Sequence, residues 1–171
     1  MSPRGMGGRQ SSRPDDGRDR EVADALRSLR ALYAEVDRLT AGYGCEASTD
    51  CCRFGVTGRE PYPTAVELAE LERAVKARGG LGKRRSLVIA EERRCAMLND
   101  EGKCVAYAAR PFGCRTFFCE RAAGPNGETA RDLPRDEIAR LGRAIADLSA
   151  RFAPRDPGPR PLSRATASWR R

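Results

Sequence analysis

Seven cysteines and no histidine stand in 171 residues, and the cysteines fall in two groups: Cys45-x5-Cys51-Cys52, then Cys95-x8-Cys104-x9-Cys114-x4-Cys119. Clustered thiols in a chain with no secretory signature point to metal or redox chemistry before a disulfide framework. With no imidazole, a metal here must be held by sulfur, helped only by oxygen from Asp, Glu or water. Cys–His and Ser–His–Asp catalysis are excluded for the same reason. The fold therefore has to bring distant loops together at their thiols.

The formal charge of +8 looks at first like a nucleic-acid signal, so its location matters. Residues 1–20 carry five Arg and three Asp, and residues 151–171 carry six Arg and one Asp. What lies between is nearly neutral. Segments 1–19 and 153–171, rich in Gly, Ser, Pro and Arg, read as a disordered basic N-terminal tail and a disordered Pro/Arg-rich C-terminal tail. The span 20–152 reads as one cysteine-cluster domain. Basic tails contact nucleic acid or anionic lipid only weakly, by charge. No apolar run serves as a signal peptide or reaches the 18 residues of a membrane span, so the expected setting is a reducing cytoplasm with no membrane partner. An odd cysteine count agrees, because a secreted framework would leave one thiol unpaired.

Core size argues in the same direction. Leu, Ile, Val and Phe make up 26 of the 130 residues from 21 to 150, at the edge of what folds unaided. A metal that ties distant loops together adds its binding free energy to folding.

Periodicity predicts a mainly α fold with a short β-hairpin, in which three amphipathic helices surround cysteine-rich metal-binding loops. Val22, Leu26, Leu29, Leu32, Val36 and Leu39 repeat at helical spacing over 20–40, and Gly42 and Gly44 stop that helix before Cys45. A second helix fits 64–78, with Thr64 as N-cap, Glu67 as its capping-box partner, and Leu68, Leu71 and Val75 facing inward; Gly79, Gly80 and Gly82 end it. A third spans 134–152, with Ile138, Leu141, Ile145, Leu148 and Phe152 on one stripe. Residues 86–89 and 104–107 read as short strands, with a turn over Asn99–Gly102 between them. Pro111 restricts Arg110 to extended geometry, so 109–114 is irregular.

All seven cysteines, Cys45, Cys51, Cys52, Cys95, Cys104, Cys114 and Cys119, are candidate metal ligands. Cys114-x4-Cys119 has the short spacing of a zinc ligand pair, and a turn at 99–102 brings Cys95 and Cys104 together. Cys51 and Cys52, being adjacent, are expected to point in divergent directions, so that one ligates while the other packs or serves a second site. A vicinal disulfide between them would be strained. Four thiolates around a divalent ion, or around a [4Fe–4S] core, leave about two negative charges. Arg53, Arg110 and Arg115 lie beside the cysteines in sequence and are candidates to offset that charge. All-sulfur ligation suits zinc and iron–sulfur clusters equally.

The run from Cys95 to Cys119, with Leu98, Gly102, Cys104, Tyr107, Arg110-Pro111, Cys114-Arg115 and Phe117, resembles the C-terminal signature of the YkgJ-like cysteine-cluster family. That family is described as a zinc- or iron-chelating domain, and flagellin lysine-N-methylases are similar to it. Its upstream half is a Cys-x2-Cys-x2-Cys-Cys box, which corresponds here to Cys45-x2-Ser48-x2-Cys51-Cys52, with Ser48 in place of one cysteine. The resemblance covers about residues 40–122. It implies a cytoplasmic protein binding zinc or iron, or an iron–sulfur cluster, through seven of the family's eight cysteines. A site completed by oxygen or solvent, and a single centre with spectator thiols, both stay open.

Two other readings follow. An iron–sulfur-dependent protein-lysine methyltransferase is suggested by the methylase similarity, but no glycine-rich βα turn for a methyl donor is present. A zinc-stabilised nucleic-acid binder meets a near-neutral domain with few interleaved aromatics. No catalytic residue is identified, and no protein partner.

Overall fold

The first apolar stripe becomes α1, Pro14–Leu39, in a computed structural model that describes residues 14–44, 49–81, 94–117 and 122–170. The helix starts ahead of the expected boundary, so residues 14–19 are helical and do not belong to a tail. Proline suits the first helical position, where its missing N–H has no intrahelical partner to lose. The buried face of α1 is Leu26, Leu29, Tyr33 and Val36, followed by Thr40. Tyr33 takes the inward position beside the half-buried Leu32.

The chain is mainly helical. Six α-helices occur among the described residues, against an expectation of three. Two other long ones are α3, Ala65–Ala77, and α5, Arg135–Phe152, which fall where the periodicity places them. The remaining three are single turns: α2, Phe54–Thr57, α4, Phe112–Arg115, and α6, Leu162–Ala165. A single turn carries no periodicity, which is why pattern reading passes over it.

Helices α1, α3 and α5 pack on one another around Leu26, Leu29, Tyr33, Val66, Ile145 and Leu148. Full burial of one such side chain contributes about 1.5–3 kcal/mol. Phe112 leans on this cluster across Gly142, where a Cβ would stand 3.2 Å from two of its ring atoms. Between α1 and α3 the buried carboxylate of Glu70 takes a two-point contact from Arg30, at 2.9 and 2.8 Å, and another from Arg73, both at 3.0 Å. The α3 entrance is the expected capping box. Glu67 accepts the Thr64 N–H at 2.8 Å and the Thr64 hydroxyl at 2.9 Å.

A second cluster lies on the other face of α3. Leu71 and Val75 meet Phe54, Cys95, Met97, Leu98, Ala106, Ala109 and Leu162. Its elements are joined by isolated bridges, Arg53 to Arg94 and Leu98 to Cys104, with no sheet among the described residues. The expected hairpin reduces to a turn. Asn99 N–H donates to Lys103 O at 2.9 Å and Val105 N–H to Met97 O at 2.8 Å, after which Tyr107–Ala109 turns into a 3-10 helix. The predicted strand at 104–107 is therefore corrected to one bridging residue and a turn; the strand at 86–89 lies outside the described residues.

The C-terminal tail is also corrected. Residues 153–170 dock along α3 and its entrance. Ala65 N–H donates to Pro157 O at 2.8 Å, Arg160 N–H to Pro63 O at 3.2 Å and Leu162 N–H to Pro61 O at 3.1 Å. Ser149 Oγ, on α5, donates to Pro157 O at 2.7 Å and accepts Val66 N–H at 3.3 Å. Gly158 permits this approach, since a Cβ there would stand 3.1 Å from Thr64 Cα. Leu162 is 1% exposed and anchors the segment in the second cluster. One apolar anchor and a set of carbonyl partners order a stretch whose composition alone reads as disorder.

Candidate metal centre

Five of the seven candidate cysteines fall among the described residues, and they come from three stretches of chain. Cys51 and Cys52 end a 3-10 turn, Thr49–Cys52, that leads into α2. Cys95 follows the Arg53–Arg94 bridge, and its N–H donates to Cys52 O at 2.7 Å. Cys104 closes the 99–102 turn opposite Leu98, and Cys114 sits on α4. Cys45 and Cys119 lie outside the described residues.

These thiols are neighbours. Cys51 and Cys52 hydrogen-bond through their side chains, and Cys52 does so with Cys95. The expectation that Cys51 and Cys52 diverge is therefore corrected. It assumes extended backbone, whereas a 3-10 turn lets consecutive thiols touch. Cys104 lies within electrostatic reach of Cys51 and Cys52, and Cys114 of Cys51, Cys52 and Cys104. All five are free cysteines.

Such crowding favours protons in the absence of a cation. The hydrogen bond with Cys52 raises the Cys51 thiol, and burial adds to it. At Cys52 the bond from Cys51 favours the thiolate. The bond with Cys95, burial, and the charges of Cys95 and Cys104 outweigh it and push the thiol up to about 12. Burial raises Cys114, and the other thiols and the Glu67 carboxylate push the same way. Cys104 is raised by burial but opposed by the Ala106 N–H, which donates to its sulfur, and by the charges of Arg110 and Arg78. A cation at the centre of such a group reverses the balance, because it stabilises thiolates directly.

The floor under Cys114 is a polar knot between the long helices. Glu67, 2% exposed, accepts the Phe112 N–H at 2.7 Å and the Tyr33 hydroxyl at 3.1 Å, in addition to its two bonds from Thr64. One carboxylate thus caps α3, holds the first residue of α4 and ties both to α1. Arg115, 3% exposed, lies over the Tyr33 ring at 4.0 Å. Its guanidinium donates to Arg110 O at 2.8 Å, to Ala108 O and to Asp37. Two carbonyls between Cys104 and Cys114, those of Ala108 and Arg110, are held by this one side chain.

The three candidate arginines therefore have separate roles. Arg110 acts on Cys104, while also lying 4.0 Å over the Tyr107 ring and 3.4 Å from Asp37. Arg115 braces backbone. Arg53 faces Arg94 across their bridge. Sequence reasoning missed Arg78, at the C-cap of α3, and Tyr33 and Asp37 on α1. Glu67 carried a signal as a capping-box residue, but nothing in its spacing announced the reach to α4.

Among the described residues, no three cysteine or carboxylate side chains are gathered tightly enough to hold a metal ion as they stand. The donor set itself is chemically suited to one: thiols only, close together, with cationic side chains and a backbone N–H aimed at Cys104. The chain matches no family model, no curated protein and no solved structure in comparisons with each.

Proposed function

We propose that this is a cytoplasmic metal-binding protein that holds zinc or iron, the iron as an ion or as a [4Fe–4S] cluster, through clustered cysteine thiolates. The observation that supports this reading is that Cys51, Cys95, Cys104 and Cys114, from three separate stretches of chain, each lie within electrostatic reach of Cys52. Cys45 and Cys119 complete the ligand set by their place in the sequence. The resemblance of the 95–119 run to the YkgJ-like cysteine-cluster family supports the same reading.

The metal supplies a crosslink between segments that otherwise touch through single bridges. The protein's own residues do the rest. Glu67 and Arg115 hold the chain on which Cys104 and Cys114 sit, and Arg78 and Arg110 offset the thiolate charge. Arrangements of this kind lower the cost of gathering several anions in a half-buried site.

The test is elemental analysis with a visible spectrum of untagged protein purified without oxygen. Colourless protein with stoichiometric zinc, or brown protein with thiolate-to-iron absorption, meets the proposal and chooses between the metals. Folded, reduced protein that contains neither metal and takes up neither on addition ends it.

A further inference from the structure

The segment 153–170 has two anchorages, one on the long helices and one on the thiol-bearing turns. Near its start, Pro157 O accepts Ala65 N–H at 2.8 Å and the Ser149 hydroxyl at 2.7 Å, on α3 and α5. Farther on, the partners change. Leu162 N–H donates to Pro61 O at 3.1 Å, and Ser163 N–H donates to the Glu60 carboxylate at 2.5 Å. Glu60 and Pro61 belong to the link from α2 to α3, a few residues after Cys51 and Cys52. The Leu162 side chain, 1% exposed, lies in the buried cluster of Phe54, Cys95 and Met97, with Cys52 and Cys104 packed against it. Trp169 packs against the same cluster and lines a cleft along α3 with Leu68, Ala69 and Glu72.

Residues 161–169 form one hydrogen-bonded unit. Ala165 N–H donates to Pro161 O at 2.9 Å and Trp169 N–H to Thr166 O at 3.1 Å. Thr166 gives Leu162 O both its N–H, at 3.0 Å, and its hydroxyl, at 2.8 Å. Leu162 and Trp169 therefore seat or lift together. The two anchorages differ in what supports them. Helices α3 and α5 complete their hydrogen bonds internally, whereas the apolar floor under Leu162 is built of turns and single bridges. Regions with few repeating hydrogen bonds open locally at less cost. Whatever firms these turns also firms the seat of Leu162, and linkage requires the reverse with equal strength.

We propose that residues 162–170 are a latch on the thiol centre, seated when the thiols hold metal and released when they are empty, while Pro157 stays in place. The latch rests on the metal-binding reading above and adds regulation to it. Filling of the centre sets the exposure of Trp169 and of the segment around it, so occupancy of a half-buried site is displayed on the surface. By the same linkage, a seated latch slows the loss of metal.

The chain's only tryptophan is on the latch, so its emission reports seating directly. The full chain is compared metal-loaded and chelated under reducing conditions, by emission spectrum and by hydrogen exchange. On chelation the emission should move toward that of the urea-unfolded chain. The amides of Leu162 and Thr166 should lose protection roughly tenfold or more, while Ala65, bonded to Pro157, keeps its own. Leu162→Ala should weaken metal retention against a colorimetric chelator by about fivefold or more, the lower end of ordinary coupling between sites. Leu29→Ala, the same truncation in the other cluster, should leave retention as it is. The wild-type spectra need no variant to fold. Emission and Leu162 exchange that match in loaded and chelated protein overturn the latch, as does unchanged retention in Leu162→Ala. Loss of Ala65 protection in step with Leu162 overturns it too, since the whole segment would then leave with the helices. Protein that takes up neither zinc nor iron removes the metal reading and the latch with it, an outcome distinct from metal held with the latch unmoved.

Discussion

Helix α3 has two neighbours built on opposite principles. Toward α1 and α5 it offers Val66 and Ala69 to a cluster of leucines and isoleucine on long helices. Toward the thiols it offers Leu71 and Val75 to Phe54, Met97, Leu98 and three cysteines, on single turns and one-residue bridges. The helical body satisfies its backbone within each helix and needs only apolar contact to close. The thiol end has few repeating hydrogen bonds, so its order rests on side-chain braces such as Arg115 and, on the reading proposed above, on metal. One sequence thus holds a self-sufficient half and a dependent half on a shared helix.

Metal removal should divide the two most sharply. Binding free energies of structural metal sites are of the order of 10 kcal/mol, and part of that is folding free energy of the thiol end. Chelation under reducing conditions is expected to abolish hydrogen-exchange protection at Val105, Ala109 and Arg110, while amides in the middle of α1 and α5 stay protected. The melting temperature should fall by more than about 10 °C, at roughly 2–4 °C for each kcal/mol in a chain of this size. Loss of helical dichroism throughout would break the comparison, because the body would then depend on the metal too. Unchanged exchange at all three thiol-end amides would mean that no metal contributes to their order.

The reciprocal change is a cavity in the body. Leu29 is 0% exposed, and Leu29→Ala should cost about 2–5 kcal/mol in urea denaturation. Metal stoichiometry measured on the folded variant should stay at the wild-type value. A variant that loses metal in proportion to its stability would show the halves to be one cooperative unit.

Legibility follows the same division. The stripes of α1 and α5 were readable because three-to-four spacing survives in the order of the residues, and the Thr64–Glu67 box because its two parts lie within one turn. Tyr33 was passed over for Leu32, since pattern reading ranks a tyrosine below a leucine. In fact its ring carries Arg115 and its hydroxyl meets Glu67. At the thiol end, single turns have no period to detect. Arg78 acts on Cys104 from the end of a different helix, far from it in sequence, so neighbours in sequence did not predict this neighbour in space. Leu162 shows the limit of composition: averaged over a Pro/Arg-rich stretch, one buried anchor vanishes.

Glu67 couples the halves, and its variants sharpen the comparison. Glu67→Gln keeps the volume but turns two amide donors toward a group that now receives four: Thr64 N–H and hydroxyl, Tyr33 hydroxyl and Phe112 N–H. At least one buried donor goes unsatisfied, at about 1–3 kcal/mol. Urea denaturation should show that loss, and competition against a colorimetric chelator should show weaker metal retention, because α4 and Cys114 lose their anchor. Equal destabilisation with unchanged retention would confine Glu67 to capping α3.

Acid offers the finest separation, because the halves respond to protons at different pH. Metal–thiolate bonds yield when protons compete for sulfur, and retention should weaken steadily as pH falls from neutrality. The body answers through Glu70. Burial alone would raise its carboxyl, but the guanidiniums of Arg30 and Arg73 outweigh burial and bring it down to about 2 from 4.5. A carboxyl held below its unfolded value adds stability that is complete above about pH 4.5 and is lost as pH falls through about 2. With Arg30 and Arg73 about half exposed, solvent screening reduces that contribution to about 1–2 kcal/mol. Urea midpoints of Glu70→Gln should therefore lie below wild type at pH 7 and converge with it near pH 2, while the pH at which metal leaves stays where it was. A shift of that pH in the variant would place the Arg30–Glu70–Arg73 staple in the thiol half after all, since α3 would then be passing strain from one face to the other.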